Sequence, residues 1–175
     1  MASLMENFSN NPIDINLLPK FEEVEYTGIS KKYLIKSNIQ TGIFLVIILI
    51  AWGVLWYYGA GVQNLQIAAI FIFLFFVFRF WNNFKMQSKY GYALREKDVL
   101  YKRGFLVHSV TVIPFNRIQH VSVSRDFIDK MLNISSLQIF TAGGGGSDVN
   151  IPGLKPDLAT TLKEALSTKL IAHEQ

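Results

Sequence analysis

The chain has 175 residues, 50% hydrophobic, 14% aromatic and 17% charged, with a formal net charge of +4. That charged share falls well short of the roughly 25% of an average soluble domain, and a mean hydropathy of +0.27 excludes disorder over most of its length. Cysteine is absent, which excludes disulfides, thiolate metal sites and thiol nucleophiles together.

Residues 1–28 are polar and acidic, with Glu6, Asp14, Glu22, Glu23 and Glu25 set against Lys20. Asn11–Pro12 and Leu18–Pro19 break any helix there. This composition predicts a flexible cytoplasmic arm, on which Ile13, Ile15, Leu17 and Leu18 offer a few apolar side chains for docking.

Residues 29–84 are dominated by one feature. The 42 positions from Ser37 to Phe78 carry no charge. About 20 apolar residues span a hydrocarbon core of about 30 Å, so the run suits two helices rather than one. Gly59–Asn64 (GAGVQN) supplies the turn chemistry between them. The predicted element is a transmembrane hairpin with spans at about 39–58 and 65–81. Lys31, Lys32 and Lys36 precede the first span, Arg79, Lys85 and Lys89 follow the second, and the connecting loop has no base. The positive-inside bias then puts both termini in the cytoplasm and the short loop outside, as a multi-pass membrane protein. Trp56, Tyr57 and Tyr58 fall at one rim and Tyr33 and Trp81 at the other, where amphipathic rings prefer to lie. A domain this small has too little material to wrap two all-round apolar helices as a soluble core. Neither span carries an internal ionisable residue, Arg79 lying at the end of the second, which argues against a transport pathway. Gly42, Ala51 and Gly53 would let another helix approach the first span.

From residue 85 to 153 the apolar period shortens to that of strands. Tyr90, Tyr92 and Leu94 alternate, Lys97–Asp98 turns, and Val99–Val107 follows with Gly104 inside it. Val110 and Val112 alternate up to Pro114, then Val121 and Val123, then Leu137 and Ile139. Gly143–Gly146 is read as a hairpin tip before Val149–Ile151, and Phe127–Leu132 as a single helical turn. Short antiparallel strands at this spacing predict a small sheet, sandwich or barrel. Pro156 opens a final amphipathic helix of about four turns, with Leu158, Leu162, Ala165, Leu166 and Leu170 on its packing face.

Four stretches carry a resemblance: YKRG at Tyr101–Gly104, VIPFNRIQHVSVSR at Val112–Arg125, LQIFTAGG at Leu137–Gly144 and IPGL at Ile151–Leu154. Together with the hairpin they resemble the bacterial pleckstrin-homology-like (PH-like) family of the YdbS-like, membrane-flanked type, over roughly residues 30–170. The resemblance implies an all-β PH-like bent barrel of seven strands, capped by one C-terminal α-helix, as a cytoplasmic domain over residues 85–175. The family commonly has Gly-Leu after the short helical turn, where this chain has Asn133–Ile134. Asn is the next best residue for a left-handed backbone, so the turn is expected to survive. The resemblance implies no enzymatic chemistry and a tethered module for interaction or assembly.

No residue pattern argues for catalysis or a cofactor. His108, His120 and His173 lack metal spacing, and Gly143–Gly146 lacks the helix and lysine of a phosphate cradle. Asp126 and Asp129 are read as a helix cap and a solvated face rather than an acid and a base. Arg117, Gln119 and Arg125 are the candidate contact surface for a protein partner. A second reading of Gln119, favoured by its phase with Val121 and Val123, is a buried amide that fixes strand register. Lys85, Lys89, Lys97, Lys102 and Arg103 are the candidate contacts for lipid headgroups. Nucleic acid is not an expected partner despite a pI of about 9.3, because the bases are scattered, and no small-molecule substrate is expected. The expected function is non-enzymatic protein–protein assembly, as a homo-oligomer or with a related membrane protein, at the inner face of a bacterial membrane. The alternative is a lipid headgroup-binding module.

Overall fold

The computed structural model describes residues 24–59, 62–142 and 148–173. Two helices of 26 residues, α1 (Lys32–Tyr57) and α2 (Val62–Gln87), lie against each other as a hairpin. Each is about 39 Å long at 1.5 Å per residue. Helix α1 starts before its predicted span, and α2 runs past its own at both ends, taking in residues that the sequence assigns to the turn and to the domain boundary. In their most apolar stretches only 6% and 11% of residues are buried, so these are not the core helices of a soluble protein. Both are long and apolar enough to cross a bilayer. Near the open end of the hairpin the buried Asn83 amide donates to Asn38 Oδ1 (3.1 Å) and Thr41 Oγ1 (3.0 Å). Toward the closed end Trp52 Nε1 donates to the Leu65 carbonyl at 3.3 Å.

Among the described residues, seven strands form two antiparallel sheets. The first sheet has the order β1 (Thr27–Gly28), β2 (Gly91–Leu94), β3 (Asp98–Arg103), β4 (Ser109–Pro114). The second is β5 (Ile118–Ser124), β6 (Ser135–Thr141), β7 (Val149–Leu154). A 3-10 turn at Phe115–Arg117 joins the sheets, and α3 (Phe127–Leu132) joins β5 to β6. The last helix, α4 (Pro156–His173), packs on β5, β6 and the 3-10 turn. Between the sheets lies one core, with Val99, Tyr101, Ile113, Phe115, Leu137, Ile139, Ile151 and Leu154 buried, closed by Ala159 and Leu166 of α4.

Several sequence expectations change here. Thr27–Gly28 is not arm but the first strand, paired with Tyr92–Gly91 across the inserted hairpin. Gly104 lies outside strand: its φ of +96° turns the chain so tightly that a Cβ would meet the Val107 carbonyl at 1.9 Å. In α4 the buried residue of the first turn is Ala159, while Leu158 is exposed, because the sheet meets the helix about one residue further round. The Leu170 side chain, the Gly143–Gly146 tip and residues 1–23 lie outside the described residues.

Candidate functional site

The hairpin is fastened to the barrel at its open end. Lys36, one turn into α1, is buried, and its Nζ lies 2.7 Å from both Asp126 Oδ2 and Asp129 Oδ1. Those carboxylates form a capping box on α3: Asp126 Oδ1 accepts from the Asp129 N–H (2.7 Å), and Asp129 Oδ2 accepts from the Asp126 N–H (3.3 Å). Asp129 is therefore no solvated face. It is 3% exposed and is the point on which α1 docks. Desolvation alone would raise the Asp126 carboxyl. The Lys36 hydrogen bond and the backbone N–H groups of Asp129 and Ile128 outweigh it and hold Asp126 below the ordinary aspartate value.

The far end of α3 closes on Asn133, at φ 52° and ψ 54°, so the left-handed turn does form. Arg125 serves this turn: its Nε donates to the Ile134 carbonyl (3.0 Å) and a second guanidinium nitrogen donates to Asn133 Oδ1 (3.2 Å). Gly153, at φ +69°, completes the junction. A Cβ there would sit 2.8 Å from Tyr33 Cβ, and the Ser30 N–H donates to the Gly153 carbonyl at 2.8 Å. Tyr33 continues edge-on into Tyr90 (5.6 Å between centroids), which leads to Tyr101 (6.3 Å). Burial, then the neighbouring Tyr33 phenol, pushes the Tyr90 hydroxyl up to about 12, and burial raises Tyr101 further.

A second feature opens where the two sheets diverge. The 3-10 turn carries the chain from β4 to β5, so β4 pairs with β3 on one side and its other edge borders a cleft of about 400 Å³. Arg103, Arg117, Tyr101, Thr111, Val112 and Asp148 are among its walls. Asp148 Oδ1 is engaged, accepting from the Thr141 N–H at 3.2 Å. The structure thus brings together one residue nominated for protein contact, Arg117, and one nominated for lipid, Arg103. Both are exposed.

The remaining nominated residues separate. Gln119 is exposed, not a buried amide. A β-bulge between Ile118 and His120 gives the strand one extra residue, so that Ile118 and Val121 both face the core and Gln119 is displaced outward. His120 stacks on Phe140 at 4.1 Å. Lys85 and Lys89 are exposed at the open end of the hairpin, and Lys97 is exposed at the opposite end of the sheet, beside the turn in which Arg95 Nε clamps Asp98 Oδ1 at 2.6 Å. Lys102 lies over the Tyr26 ring at 5.3 Å. No group of His, Asp or Glu among the described residues has the arrangement of a metal site.

Sequence reasoning missed Lys36 as a structural ion, since it reads as one more base beside a span. The signal available was the long-range need of Asp129, an acid at the third position of a helix one and a half turns long. The glycine of IPGL, which enters the sequence reading only as part of the resemblance, makes room for Tyr33.

These sheets, their closing helix and the hairpin fit one family. The family model described as the bacterial PH domain matches residues 15–170, and the chain belongs to that family. PH domains are in general non-catalytic binding modules, and this one carries two helices able to cross a membrane. Comparison with curated proteins and with solved structures gives no match.

Proposed function

We propose that this chain is a non-enzymatic, membrane-anchored PH-like module that assembles with protein at the inner face of a bacterial membrane, with both termini cytoplasmic. The observation that carries the reading is the β4 edge beside the Arg103–Arg117 cleft, which no strand among the described residues pairs with. An unpaired strand edge presents a row of backbone donors and acceptors to an incoming strand. Two arginines along its flank favour a partner with acidic side chains, which they would grip bidentately. The partner is a second copy of this chain or a related membrane protein. Confinement to one leaflet raises effective concentration, so weak edge contacts suffice. The test is a photocrosslinking residue at Val112, which is 47% exposed on β4, in the full chain within native membranes. A protein adduct that Arg117→Glu abolishes is the expected result. Lipid adducts alone, or none, would remove this reading.

A second reading is favoured by the position of three bases. Lys85, Lys89 and Arg103 gather at the open end of the hairpin, where the headgroups of an inner leaflet would lie. Each base beside an anionic surface contributes about 1 kcal/mol. Lys97 points away from that surface and Lys102 is engaged by Tyr26, so the support is for general attraction to anionic lipid. Loss of native-membrane adducts with retained, salt-sensitive preference for anionic lipid would favour this reading.

A further inference from the structure

The topology returns one loop to the open end of the hairpin. Strand β2 leaves α2 at Gly91 and runs away to Leu94, and β3 comes back antiparallel with Lys102 opposite Gly91. The residues after Arg103 therefore lie beside the last turns of α2. The Gly104 turn throws out three consecutive apolar side chains, Phe105, Leu106 and Val107. The Phe105 ring packs edge-on against Trp81, the last aromatic ring pair at that end of α2, with centroids 5.6 Å apart. Leu106 and Val107 make no such retreat: they are 65% and 80% exposed. Arg103 and His108, both exposed, stand at the base of the loop.

In water this arrangement wastes two large apolar side chains at a rigid turn, and contiguous exposed apolar surface marks an interaction site. Its surroundings name the occupant. Through Phe105 the loop is continuous with Trp81 and Phe84, which are themselves exposed on α2 at the level where the apolar run ends and Lys85 begins. Apolar tip, aromatic shoulder and basic base repeat the order of acyl chain, interface and headgroup. We infer that the Phe105–Leu106–Val107 loop dips into the leaflet beside the hairpin, as a third membrane contact that sets the tilt of the barrel. The inference rests on the hairpin spanning the bilayer.

The test uses the full chain in liposomes, with single cysteines placed in a background that has none. A polarity-sensitive label is attached in turn at Leu106, at Leu94 on the far end of β2, and at Ile50 in α1. The expected result is quenching by lipid-borne quenchers at Leu106 and Ile50, and by aqueous iodide at Leu94, with the Leu106 emission blue-shifted relative to Leu94. Iodide quenching at Leu106 equal to that at Leu94, with Ile50 still in lipid, would overturn the loop contact and leave the hairpin intact. Iodide access at Ile50 would overturn the hairpin reading and the loop contact with it.

Discussion

At the scale of single residues, the chain places its most consequential charge where an anchoring base is expected. Lys36 sits between two carboxylates of α3, and Asp129 has no other cation near it among the described contacts. Removing one partner of a buried pair leaves the other uncompensated and costs about 3–5 kcal/mol. Lys36→Met is therefore expected to lower the unfolding midpoint strongly in a denaturant titration in micelles. Adding Asp126→Asn and Asp129→Leu to it should recover most of the loss, since the cost lies in the stranded charge. A single Lys36→Met change with no measurable effect would refute the junction. Acid should act on the same place. Asp126 titrates below its unfolded value, so its contribution is complete above the ordinary aspartate pKa of about 3.9 and is lost as pH falls through the lower folded value. An unfolding series between pH 6 and pH 2 should show an acid limb that Lys36→Met flattens. Asn133 tests a different force. A left-handed backbone costs an ordinary residue about 1–2 kcal/mol, and the Asn133 side chain also accepts from Arg125. Asn133→Ala should destabilise by about that amount, read by thermal unfolding.

At the scale of elements, the junction between hairpin and barrel depends on shape as much as charge. Gly153 combines a positive φ with a 2.8 Å approach to Tyr33. Gly153→Ala meets both obstacles and is expected to cost about 1–3 kcal/mol of stability. It should also loosen α1 from β7, visible as faster hydrogen exchange at Ser30, whose N–H is bonded there. How much of this was legible follows from the range of the forces. The two long helices, the short α3 at Phe127–Leu132 and the strands at Leu137–Ile139 and Val149–Ile151 arise from local pattern, which a sequence displays, while the left-handed Asn133 is expected from the family resemblance. The misread features are those that a distant partner decides. The bulge at Gln119 answers to the register of β6, the end of β3 answers to the turn that Gly104 makes against Val107, and Asp129 is buried because α1 delivers Lys36 to it. The candidate cleft was legible only in part: Arg103 and Arg117 stood in separate nominations until the sheet corner joined them.

For the whole molecule, the contacts at the junction predict that hairpin and barrel move as one body. An ion pair, a capping box, a tyrosine stack and a strand from before α1 all hold the same end. Spin labels on cysteines at Ile50 and Lys163 should give a narrow distance distribution in liposomes, broadened by Lys36→Met. A broad distribution in the parent chain would mean that the barrel swings freely on its anchor. On the proposed reading, a fixed pose would also serve assembly, because it would present the β4 edge at a set height and angle above the lipid.

The placement of Thr27–Gly28 has a consequence for biogenesis. The ribosome makes this strand before the hairpin and its partner Gly91–Tyr92 after it, so the sheet waits on everything between. On the proposed membrane reading, two helices side by side in lipid would hold the ends at Lys32 and Gln87 near each other, and the entropy of closing so long a loop would largely be met in advance. On that reading, bilayer insertion would become a folding step for the sheets. A fragment cut at the headgroup boundary would leave the ribosome without its first strand and without the lysine that Asp129 requires.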